Sequence, residues 1–224
     1  KERLELLPEK NAFIKTVKRQ LFSVLENIVR ECKSTAFKPK YVEKEFESRF
    51  NDSNISLIGR ADRIDVAGNY FRIIDYKTGT TGNLLKELYF GEKLQLFLYQ
   101  KEAKEKFKLS SAGGYYFDSG LDYSKDEEEK VVLKGLSPDD EEIILLLDEN
   151  LKENKKSEIL SIAKDSKGGY KGAGVSKFDM STLCDYAYKI ADKAVSEICQ
   201  GFISPKPCEG ACQWCKYHSI CGFS

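Results

Sequence analysis

Two groups of residues in this chain have the types and spacing to do chemistry. The first is Asp62, Asp75 and Lys77, held in the stretch IGRADRIDVAGNYFRIIDYKTG over residues 58–79. Apolar runs at 64–66 and 70–74 flank Ala67, Gly68 and Asn69, the composition of a β-hairpin. Asp75 and Lys77 are two apart on an extended segment, so they leave one face while Tyr76 leaves the other. Pairing about the turn brings Asp62 to their level. Carboxylates and an ammonium beside a core are costly unless paired or metal-bound. Their oxygens suit a hard divalent cation such as magnesium or manganese. Such an ion acidifies a bound water and offsets charge on a phosphoryl oxygen, a task Lys77 would share. A surface Asp–Lys pair on an edge hairpin is the alternative that spacing alone leaves open.

The second group is Cys208-x3-Cys212-x2-Cys215-x5-Cys221, four of the chain's seven cysteines within its last seventeen residues. Thiolates at this density suit tetrahedral zinc or an iron–sulfur cluster, against the alternative of free cysteines in a tail. His218, the single histidine, is read as a surface residue, and Trp214 and Tyr217 as packing residues.

Several elements must position these groups. Residues 11–32 repeat apolar side chains at three-and-four spacing (Phe13, Ile14, Val17, Leu21, Val24, Leu25, Ile28, Val29, Cys32), which predicts an amphipathic helix. Residues 41–50 predict a strand, with Glu43, Glu45 and Glu47 sharing one face, so the spacing leaves a metal-site role open to any of the three and a solvated face equally open. After a polar turn at 78–83, residues 92–107 predict a helix on which Gln95 and Tyr99 lie one above the other. A strand is expected over 112–118. Ser137 and Pro138 predict the start of a helix reaching about Asn150. A short strand over 159–164 and a last helix capped by Asp179 or Ser181 and closing at Gly201 complete the pattern. The acidic run at 126–129 reads as a solvated loop.

Composition sets outer limits. The 224 residues carry 36 basic and 36 acidic side chains, so a broad basic nucleic-acid face is excluded and any DNA contact must be confined to a local groove, helped by metal ions or supplied largely by a partner subunit. No run of about eighteen apolar residues exists to span a membrane. Cysteines gathered at one end, rather than spread as a disulfide framework, place the protein in a reducing cytoplasm. The chain opens without Met on residues that read as the middle of something, so it is expected to be part of a longer protein.

Gly59-Arg60-Ala61-Asp62, then Asp75-Tyr76-Lys77, then Gln95-Leu96-Phe97-Leu98-Tyr99 resemble, in order and spacing, the G-x-x-D, D-Y-K and Q-x-x-x-Y motifs of the PD-(D/E)XK nuclease superfamily in its RecB-like form. The resemblance implies an α/β, restriction-endonuclease-like core: a central mixed sheet flanked by helices. It implies Asp62 and Asp75 as metal ligands, the Tyr76 backbone carbonyl as a third, and Lys77 as the catalytic lysine. It makes Gln95 and Tyr99 positioning residues, and Glu45 the acid that completes the site.

Cys212-x2-Cys215-x5-Cys221 is similar to the C-terminal triplet of AddB-type helicase–nuclease subunits, where a distant upstream cysteine completes a 4Fe-4S cluster. No cysteine here precedes the first helix. The fourth ligand is therefore expected outside the chain, with Cys208 or Cys32 as substitutes. Residues 1–204 are then the nuclease domain and 205–224 a cysteine-rich metal-binding tail. The implied activity is magnesium-dependent exonucleolytic cleavage of DNA in double-strand break repair and recombination, beside an AddA-like partner subunit. Two rivals are a non-catalytic DNA-docking module of the same fold and a stand-alone, CRISPR-associated-type iron–sulfur exonuclease.

Overall fold

The computed structural model describes residues 8–50, 55–79, 82–118, 130–202, 204–207 and 210–221. Its centre is a five-stranded mixed sheet in the order β1-β2-β3-β4-β5, formed by Lys38–Arg49, Ser56–Ala67, Tyr70–Lys77, Ser110–Asp118 and Lys134–Leu136. All neighbours are antiparallel except β3 and β4. A parallel pair needs a long crossover, and here α2 (Leu84–Tyr89) and α3 (Gln95–Phe107) supply it. Helix α1 is Pro8–Ser34, α4 Glu141–Leu147 and α5 Met180–Cys199, with a small β6–β7 ladder (Ala163–Lys164 and Tyr170–Lys171) between the last two. The α/β architecture expected from the motifs is thus present.

The sheet buries both faces. One carries Ile64, Phe71, Ile73 and Tyr116 against α3 and α5; the other carries Ile74, Tyr115 and Phe117 against α4 and part of α1. Two-sided burial explains the nearly continuous apolar runs of β3 and β4. The hairpin turn is the two residues Gly68 and Asn69. Gly68 has a φ of 53° and Asn69 no positive φ, the pattern of a turn that takes glycine first.

Simple alternation fails on β1. Tyr41 and Phe46 are five apart, yet both rings contact Phe107, at 4.6 and 6.4 Å. Between them Glu43 sits at φ 52°, a left-handed conformation uncommon for a residue with a side chain. The flip turns Val42 outward, 68% exposed. Their partners Ile64 and Gly59 repeat the odd spacing on β2, so the break lies beside Asp62 on both strands.

Three other expectations are corrected. The α4 cap is Asp140, which accepts the Ile143 N–H, because Ser137 is buried with its hydroxyl 2.6 Å from the Tyr115 hydroxyl. The strand expected at 159–164 shrinks to Ala163–Lys164, since Ile159, Leu160 and Ile162 are used to fill the second core. Helix α1 has two apolar stripes: Val24 and Ile28 pack inward, while Leu21, Phe22, Leu25 and Val29 are about half exposed or more. Asp179 caps α5, accepting the Ser181 and Thr182 N–H groups. The 126–129 run lies outside the described residues.

Candidate active site

The hairpin ladder ends at Arg63 and Ile74, but β3 runs on to Lys77. One residue past that last pair, Asp62 Oδ2 accepts the Tyr76 N–H at 2.8 Å, a side chain doing what the ladder no longer does. The strands part here, and Asp62, Asp75 and Lys77 stand at the opening. Asp75 is 3% exposed, with its Oδ2 2.6 Å from Lys77 Nζ. That oxygen is buried and accepts no well-aligned hydrogen bond. Burial pushes the Asp75 carboxyl above its ordinary pKa; Lys77 opposes the rise and the Asp62 charge adds to it. Tyr76 turns its ring to the far face against Phe117.

The G-x-x-D and Q-x-x-x-Y residues meet as one unit. Tyr99, 5% exposed, accepts the Arg60 N–H at 2.8 Å and the Gln95 Nε2 hydrogen at 3.0 Å. Gly59 makes this possible, because a Cβ there would come within 2.5 Å of the Tyr99 hydroxyl. Gln95 and Tyr99 therefore brace β2 just ahead of Asp62. Glu45 is exposed on β1 opposite Arg60, and among the described residues no hydrogen bond or ion pair ties it to Asp62 or Asp75. Glu43 instead pairs with Arg60 at 2.7 Å.

The opposite face of the hairpin carries a feature that motif reading missed. Asp65 and Arg72 are paired in register and both fully buried. Arg63 donates to both Asp65 oxygens at 2.7 Å and to Glu31 of α1 at 3.0 Å, and Arg72 also contacts Glu31. Hydrogen bonds and charge from Asp65 and Glu31 outweigh burial and raise the Arg63 pKa. The signal was available in part: Arg63, Asp65 and Arg72 are charged residues inside apolar strand runs.

The profile of the PD-(D/E)XK nuclease superfamily matches residues 2–222. The chain belongs to this superfamily. Relatives named as the B-type component of an ATP-dependent helicase/deoxyribonuclease are similar over most of it. The protein of Thermoanaerobacter sp. (strain X514) is 33% identical over 77% of this chain, and those of Lachnoclostridium phytofermentans and Clostridium novyi are 27% and 29% identical over 96% and 94%. The alignments cover 17%, 21% and 22% of those relatives, so the chain spans about a fifth of their length. This superfamily domain is thus homologous to AddB-type helicase–nuclease subunits.

The expected iron–sulfur centre does not stand. Among the described residues no three His, Cys, Asp or Glu side chains gather to hold a metal ion. Cys215 and Cys221 are exposed, Cys212 is half-buried, and Cys208 lies outside the described residues. A cluster needs four thiolates on one centre. Cys32 is tied elsewhere, its sulfur 3.6 Å from Glu31 and 3.5 Å from Arg63, and Cys184 is on the buried face of α5. His218 is exposed. Among the described residues no helix is long and apolar enough to cross a membrane.

Proposed function

We propose that this chain is a divalent-cation-dependent deoxyribonuclease domain, hydrolysing DNA phosphodiester bonds as the exonuclease of a helicase–nuclease complex. We place it in double-strand break repair and recombination in the cytoplasm, beside an AddA-like subunit; the relatives' name supports only the setting of a multi-subunit helicase/deoxyribonuclease. The observation that carries the reading is the buried Asp75 oxygen, set against Lys77 at the level of Asp62 where the hairpin opens.

The donors fit a hard cation. Two carboxylates and the Tyr76 carbonyl are oxygens, and one or two carboxylates suffice for magnesium, which keeps water and phosphate in its remaining positions. When bound, the ion acidifies a water and offsets charge on the phosphate. Asp62 keeps one oxygen for this task while the other holds the Tyr76 backbone in place. Lys77, one-third exposed, faces solvent enough to meet a phosphate oxygen or orient the attacking water. Gln95 and Tyr99 keep β2, and with it Asp62, at its level.

Asp75→Ala, shown folded by circular dichroism, should lose single-stranded DNA degradation in magnesium by at least about 10²-fold. A variant as fast as the parent ends the reading. The DNA-docking alternative draws on the absence, among the described residues, of a three-acid metal group. Calorimetry decides between them: magnesium or manganese binding that Asp62→Asn abolishes supports the nuclease, and no binding by the parent supports the docking module.

A further inference from the structure

Beyond Asp75 and Lys77 a second ion pair borders the same opening. Lys93 Nζ lies 2.7 Å from Glu87 Oε1. Both ammonium groups face one ring: Lys77 Nζ is 5.5 Å and Lys93 Nζ 5.9 Å from the centre of Tyr116. Tyr116 is 3% exposed on β4, beside β3. Burial, then the charges of Asp75 and Glu87, push its hydroxyl above its ordinary pKa, so both carboxylates act on one phenol.

Lys93 is held by construction. The chain turns back after α2 through Gly91, at φ 75°, and the Lys93 N–H reaches the Glu87 carbonyl at 3.4 Å. Glu87 is nearly buried, its side chain 14% exposed and its Oε2 without a hydrogen-bond partner, while Lys93 is 36% exposed. The acid is thus fixed and the ammonium open to solvent. Glu87 takes one of the ammonium's three donors. Asp62, Asp75 and Glu87 outnumber Lys77 and Lys93 by one charge, so a divalent ion turns the opening positive and attractive to phosphate.

We propose that Lys93, positioned by Glu87, is a second phosphate-contacting lysine of this site, gripping the DNA phosphate next to the one Lys77 serves. This rests on the nuclease reading above. Lys93 contributes affinity and register for the strand, and Glu87 acts through Lys93.

The test is binding of fluorescein-labelled oligothymidylate by anisotropy in calcium between about 50 and 200 mM salt, paired with magnesium-dependent cleavage kinetics. Loss of one phosphate contact should make the logarithmic salt slope of Lys93→Ala shallower by about 0.7. KM should rise roughly five- to tenfold with kcat within about twofold of the parent. Lys93→Arg should recover the slope, since it keeps the charge. Glu87→Gln should keep the slope and raise KM, which a merely structural role would not separate. A Lys93→Ala slope equal to the parent's, or a parent that binds no oligonucleotide, overturns the proposal. A parent that binds but never cleaves sinks the nuclease reading instead, and the slope still decides the role of Lys93.

Discussion

At Gly59 the missing side chain has a definite job. Tyr99 can take the Arg60 N–H only because nothing projects from the preceding residue, and that contact holds the strand leading into Asp62. Gly59→Ala would drive a methyl into the Tyr99 ring, an overpacking expected to cost about 1–3 kcal/mol. Urea unfolding of Gly59→Ala in parent and Tyr99→Leu backgrounds measures this: the cost should fall in the second, where the obstructing ring is gone. An equal cost in both would place the strain elsewhere. The same pair explains why motifs 36 positions apart in sequence, Gly59 to Gln95, work together: they are two sides of one contact.

At the scale of elements, α1 and the hairpin are joined by buried charge as well as by apolar packing. Glu31 enters the sheet face between Arg63 and Arg72, with Asp65 completing two acids against two bases. Such a group adds little net stability over apolar packing, yet removing one member leaves an uncompensated buried charge. Glu31→Ala should therefore destabilise by about 3–5 kcal/mol, read from the shift in urea midpoint at constant m. A loss below about 1 kcal/mol would mean that water reaches the arginines. The network lies on the sheet face away from Lys77, so its service to the site is to hold β2 and β3 in register where they part.

Over the whole molecule, the sheet is the partition between two cores, and the helices are unequal in what they bury. Phe97 on α3 and Phe117 on the other face are both within 1% of full burial. Truncating either to Ala should cost about 3–5 kcal/mol. Leu25, on the outward stripe of α1 and 56% exposed, should by contrast change stability by no more than about 0.5 kcal/mol when made Lys. Thermal melts of the three variants compare the two faces with the stripe directly. A large loss in Leu25→Lys would show that the stripe is covered in solution.

Much of the site was legible in the chain because strand geometry is local. A two-residue spacing placed Asp75 and Lys77 together, and a hairpin turn placed Asp62 level with them, with no knowledge of distant contacts. The ordered motifs were enough to assign the superfamily and its mixed sheet. Long-range packing decided the rest. Periodicity marked α1 as amphipathic but could not show that Asn27 and Glu31 would face inward, since a buried acid depends on arginines from strands far along the chain. The Glu87–Lys93 pair depends on a turn at Gly91 and a shared tyrosine from another strand. The cysteine tail shows the limit most plainly: spacing lists ligands, but a metal centre exists only where tertiary structure brings enough of them to one point, and the described thiols do not converge.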